Sequence, residues 1–155
     1  MGCGKSVVGV LVAQRARAPF HDLDLIVENE VGMPISEYFA THGEEAFRSV
    51  ESRLLPDVLQ PGAVVALGGG APMDDANWRV ITERSVTVFI DCLFKTIWQR
   101  TRGTTNRPLA AGRSREELEA LLEQRRPRYH EAVHVVDGDK PADVLAEEIV
   151  KLWSD

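Results

Sequence analysis

The string Gly2-Cys3-Gly4-Lys5-Ser6, followed at once by the helix-patterned run Val7 to Ala16, constrains this chain more than any other segment. It has the form of the closing half of a phosphate-binding loop. The full pattern G-x-x-x-x-G-K-S/T places its first glycine five positions before the second, and counting back from Gly4 passes Met1. Backbone N–H groups of such a turn and of the helix start cradle phosphate oxygens, the lysine reaches the β- and γ-phosphates, and the hydroxyl can ligate Mg²⁺. A loop of this kind hangs from the C-terminal end of a strand, which implies a layered α/β fold. No strand-like segment stands before Gly2, and we expect the natural protein to begin about ten residues upstream, with that strand inside the sheet.

The chain has 155 residues, enough for one domain with a core that needs no disulfides. Cys3 and Cys92 are far apart and match no metal spacing, so a reduced, cytoplasmic protein is expected. A net charge of −6 argues against general nucleic-acid binding, although arginines can still gather around an anion. No apolar run approaches a membrane span, and the first residues do not read as a signal peptide.

Helical periodicity and short apolar runs alternate along the chain. Helices are predicted over 5–17, 24–31, 34–60 with a break at Gly43, 74–83, 93–102, 114–132 and 141–153. Strand signals cover 20–24, 63–67, 85–91 and 134–137. The apolar run Ala63 to Leu67 reads as a buried parallel strand stopped by Gly68-Gly69-Gly70, and Ser114 to Glu117 forms a capping box. Strands separated by helices predict a parallel sheet covered on both faces, a three-layer α/β/α class.

Five further segments carry chemistry. Asp22 and Asp24, two residues apart on an extended backbone, can divide metal binding from substrate contact. Arg48 and Glu51 are i,i+3 neighbours on a helix, and an ion pair between them would pre-orient a guanidinium for a carboxylate ligand. Three consecutive glycines after a strand are costly in backbone entropy and point to close approach of a ligand. The polar, basic segment Arg100 to Leu109 suits a lid that closes over phosphates, with Arg107 as a charge clamp, and Arg125-Arg126-Pro127-Arg128-Tyr129 adds cations on a late helix.

In order, GCGKS, FHDLD, GEEAFRSVE, ALGGGAP, NRPLAAG and QRRPRY resemble shikimate kinase, a small P-loop family with a nucleoside-monophosphate-kinase-like fold. The resemblance spans the chain apart from the first central strand, and implies one domain over 1–155 with a lid at about 102–114. It implies transfer of the ATP γ-phosphoryl to the 3-hydroxyl of shikimate, en route to chorismate and aromatic amino acids, with Mg²⁺ as cofactor and a monomeric enzyme. By the same resemblance, Gly2, Cys3, Gly4, Lys5, Ser6 and Val7 hold the nucleotide, Ser6 and Asp22 serve the magnesium, and Asp24 binds the shikimate hydroxyls and accepts the proton. Arg48 and Arg125 grip the substrate carboxylate beside Gly68, Gly69 and Gly70; Arg107 reaches ATP phosphates and Arg100 lies against adenine. Val7 stands where the family usually carries threonine. A noncatalytic P-loop domain, or another small-molecule kinase such as a gluconate or nucleotide kinase, are the alternatives.

Overall fold

The computed structural model describes residues 2–101 and 113–153, so Arg107 and nearly all of the expected lid lie outside the described residues. Along the chain run α1 (Lys5–Ala16), β1 (Phe20–Asp22), α2 (Leu23–Val31), α3 (Ile35–Val58), β2 (Val64–Ala66), α4 (Asp75–Arg84), β3 (Val88–Asp91), α5 (Phe94–Thr101), α6 (Arg115–Tyr129), β4 (His134–Asp137) and α7 (Ala142–Trp153). A short 3-10 turn, Ala71–Met73, follows the three glycines.

Local chemistry explains the boundaries. Asp22 caps α2 by accepting from the Asp24 N–H, and Asp74 caps α4 by accepting from Asn77. At the start of α6 the predicted box is complete: Ser114 Oγ accepts from the Glu117 N–H, and the Glu117 carboxylate accepts from the Ser114 N–H. The expected break in α3 occurs at Gly43, whose φ of 83° is outside the helical region. Pro56 and Pro127 sit inside helices α3 and α6 without ending them. The third predicted strand is shorter than 85–91, because Ser85 still donates its N–H to Ile81 as the C-cap of α4.

One expectation is corrected. Asp22 and Asp24 do not share an extended backbone: the strand ends at Asp22, and Asp24 lies in the first turn of α2. The capping bond from Asp24 N–H to Asp22 makes the change of direction, so the two carboxylates are offset around a turn.

The strands pair in two parallel ladders. Phe20, His21 and Asp22 face Val64, Val65 and Ala66, and Val88 to Asp91 face His134 to Asp137. Alternation along each strand feeds opposite layers. Val64, Val88 and Ile90 pack with α1 and α7 around Val8, Val12 and Leu145, whereas Val65 and Leu67 pack with α2, α3 and α4 around Leu23, Val27, Leu55 and Ile81. Phe89 stacks obliquely on Tyr129 of α6, 5.2 Å between ring centres. Helices therefore cover both faces of the strands, as the three-layer class requires, and no helix among the described residues is long and apolar enough to cross a membrane. The C-terminal ends of β1, β2 and β3 open beside the N-terminus of α1, and this edge is where the chemistry-bearing residues gather.

Candidate active site

Gly4 caps α1 in the left-handed region, with φ 87°, and its carbonyl accepts from Val8. The turn projects Lys5 and Ser6 toward the end of β1. Ser6 Oγ donates to Asp22 Oδ2 at 2.5 Å, and Lys5 Nζ lies 3.3 Å from Asp24 Oδ2 and 3.8 Å from Asp22 Oδ2. Asp22 is buried, while Lys5 and Asp24 remain about one-third exposed at the mouth. A hydroxyl and two carboxylates are thus joined through these three contacts to one cation. Val7 points elsewhere and is 61% exposed.

Across the crevice, Arg48 Nη1 donates to Glu51 Oε2 at 2.6 Å, and its other nitrogen reaches Glu44 at 3.3 Å. The expected i,i+3 pair is therefore made, with Glu51 wholly buried. Burial pushes the Glu51 carboxyl above its usual range, and the Arg48 guanidinium works against that shift. Two of the three glycines follow from this crowding. A Cβ on Gly68 would stand 2.6 Å from Asp24 Oδ1 and 3.1 Å from Glu51 Oε1, and a Cβ on Gly70 would overlap the Arg48 guanidinium.

Helix α6 closes the far wall. Arg125 is buried, and among the described residues its Nη1 has no hydrogen-bond partner; the same holds for Glu51 Oε1. Tyr129, one helical turn on, donates its hydroxyl to the Gly69 carbonyl at 2.6 Å and so ties α6 to the glycine turn. Burial raises the Tyr129 pKa, with Arg125 opposing, which keeps the phenol a hydrogen-bond donor at neutral pH. Sequence reasoning assigned no role to Tyr129; its spacing of four from Arg125 on one helix face was the available signal.

Arg100, expected beside adenine, donates Nη1 to the Cys3 carbonyl at 3.1 Å, bracing the loop from α5. Cys92 also faces that carbonyl, at 3.8 Å. Its burial pushes the thiol pKa up to about 11, so it is a packing residue. Gly2 completes the turn against α5, where a Cβ would come within 2.6 Å of Thr101.

The donor set suits a hard divalent cation held mainly by its phosphate ligand. Among the described residues no group of three His, Cys, Asp or Glu side chains forms a metal cage. Ser6 and Asp22 supply two oxygens at the loop, the arrangement by which Mg²⁺ is shared between one or two protein groups, waters and phosphates.

The family profile for shikimate kinase matches residues 1–153. The chain is 35% identical to a shikimate kinase of Rhizobium meliloti over 158 aligned residues, covering 100% of this chain and 82% of the relative. It is 37% identical to one of Vibrio parahaemolyticus, covering 98% and 91%. Among solved structures, the fold is similar to shikimate kinase from Acinetobacter baumannii in complex with shikimate, with TM-score 0.95, 31% identity and coverage of 99% and 88%. It is also similar to shikimate kinase from Aquifex aeolicus, with TM-score 0.87, 32% identity and coverage of 99% and 92%.

Proposed function

The chain belongs to the shikimate kinase family, ATP-dependent kinases that phosphorylate a hydroxyl of shikimate, and we propose that the transfer to the 3-hydroxyl runs in the crevice between Lys5 and Arg48. The observation that carries the site assignment is convergence: Lys5 touches Asp24, Asp24 abuts Gly68, and Gly68 and Gly70 abut Glu51 and Arg48.

Each side chain then has a task. Backbone N–H groups at the start of α1 bind phosphate oxygens, and Lys5 exchanges its carboxylate contacts for the β- and γ-phosphates as ATP enters. Ser6 and Asp22 would hold Mg²⁺, which when bound supplies charge neutralisation between the phosphates. Arg48, fixed by Glu51, and Arg125, with an uncommitted Nη1, grip the shikimate carboxylate as two forks of donors. That grip places the ring over the glycine turn and its hydroxyls at Asp24.

The shikimate hydroxyl oxygen then forms a bond to the γ-phosphorus as the bond to the β–γ bridging oxygen breaks. Its proton passes to the Asp24 carboxylate and on to solvent, and ADP departs. Positioning and cationic stabilisation dominate such a transfer, and the crevice supplies both. Arg107 adds a further cation from the lid, and Arg100 steadies the nucleotide loop. A single-domain monomer in the cytoplasm completes the reading.

A coupled assay for ADP release with shikimate, gluconate and no acceptor tests the proposal. Shikimate-dependent turnover lost in Asp24→Asn, with unfolding temperature retained, is expected. Equal turnover in the variant, or turnover with gluconate alone, would overturn the assignment.

A further inference from the structure

Helix α6 brings Arg125 to the crevice buried, with an Nη1 that finds no acceptor among the described residues. A buried cation short of partners is drawn toward water, so the stretch that carries it must be fixed from elsewhere. The helix backbone does this poorly here. Pro127, two residues on, has no N–H and removes one rung of the helix ladder.

Side chains of the same stretch supply the anchors. Arg126, next to Arg125, donates Nη1 to both carboxylate oxygens of Asp91, at 2.6 and 2.9 Å, and Nε to Glu123 at 3.2 Å. Arg128 donates to Asp75 at the start of α4 and lies over the Trp78 ring. Tyr129 holds the Gly69 carbonyl. These anchors differ in what they are fixed to. Asp75 is 86% exposed, and exposed ion pairs orient little. Gly69 belongs to the crevice itself. Asp91 is the last residue of β3, in register with Asp137, and its carbonyl accepts from the Gly138 N–H at 2.7 Å. Its carboxylate and the Arg126 side chain are about three-quarters buried, where salt screens an ion pair less. His130 joins the same post: its Nε2 lies 3.6 Å from Asp91 Oδ2, and its ring stands edge-on to Phe89 of β3. Asp91 thus ties α6 to the end of the sheet one residue away from Arg125.

We propose that Asp91 is a positioning residue for the acid substrate: through Arg126 it sets the roll of α6, so that the Arg125 guanidinium faces the crevice before shikimate arrives. The inference rests on the reading of Arg125 as a ligand of the shikimate carboxylate. Pre-organisation of this kind lowers the ordering cost of binding, so its loss is felt in affinity. The nucleotide loop is braced separately, by Arg100 of α5, and ATP binding is expected to be spared.

Steady-state kinetics of the full chain test this with Asp91→Asn, Arg126→Gln, the two together, Arg126→Lys and Arg125→Ala. KM for shikimate should rise about tenfold in each of the first two. Their kcat and KM for ATP should stay within about twofold of the parent, with the unfolding temperature nearly unchanged. The double variant should be no worse than either single one, because both substitutions break one contact. Arg126→Lys still offers Asp91 a cation and should recover part of the loss. An unchanged shikimate KM in both single variants, rises that add in the double variant, or an equal rise for ATP would overturn the proposal. So would a joint fall in kcat and unfolding temperature, the mark of a merely structural pair. Arg125→Ala separates this inference from the site assignment. A raised shikimate KM there, beside unchanged values for the Asp91 and Arg126 variants, refutes the positioning role alone. An unchanged KM in Arg125→Ala refutes the carboxylate grip and this inference with it.

Discussion

The Arg48 guanidinium occupies the space that any side chain on residue 70 would need, so the arginine and Gly70 form one close-packed unit. Gly70→Ala should push Arg48 off its Glu51 contact while leaving Lys5 and Asp24 in place. We expect KM for shikimate to rise about tenfold or more, as for loss of a charged hydrogen bond, with KM for ATP little changed. Steady-state kinetics with each substrate varied in turn check this, and a rise confined to the ATP side would contradict it.

Asp24→Asn removes the proposed proton acceptor and keeps the shape. A drop in kcat of about 10²- to 10⁴-fold is expected. Shikimate affinity, measured by calorimetry, should fall far less, because in the proposed site Arg48 and Arg125 hold the carboxylate independently.

Lys5→Ala deletes the cation proposed to meet the transferring group, and kcat should decrease at least about a hundredfold. The same substitution leaves Asp22 and Asp24 close together without their shared lysine, so nucleotide-free protein should also lose some stability. Thermal unfolding with and without ATP separates the two effects.

Glu51 titrates above its ordinary value in the folded state because it is buried. The folded chain therefore takes up this proton before the unfolded chain does. Stability from that uptake is present below the unfolded value of about 4.5 and is lost as pH rises through the folded value. Relative to Glu51→Gln, the parent protein should gain stability as pH falls through this window, and the difference should be flat outside it. Denaturant unfolding of both proteins across the pH range reads the sign directly.

At pH 8 a thiol with a pKa near 11 is ionised in only about one molecule in a thousand. Iodoacetamide should therefore modify the half-buried Cys3 first and Cys92 only on unfolding. Peptide mapping after brief exposure checks the order, and saturating ATP should slow the reaction at Cys3.

The glycine-lysine-serine string, the capping box at Ser114 and the break at Gly43 were legible because each is local chemistry written in adjacent residues. The Arg48–Glu51 pair was legible for the same reason, being one helical turn apart. Asp24 misled because an alternating acid pattern says nothing about where a strand ends; the capping bond of Asp22 decided it. Tyr129 escaped because its partner, the Gly69 carbonyl, lies 60 residues away and has no side-chain signature. Arg100 on the Cys3 carbonyl, 97 residues apart, was hidden likewise. Long-range contacts to backbone groups leave almost no trace in residue types, which is why the constellation could be read and its bracing could not.

Under the proposed grip, the nitrogen of buried Arg125 that lacks a partner among the described residues sets what the enzyme will ignore. A neutral cyclitol or sugar entering the crevice would strip water from two guanidinium groups and give them no anion in return, a discrimination that sites built for polar partners make strongly. On that reading, abundant uncharged polyols are turned away at the binding step, and the γ-phosphate is kept for an acid.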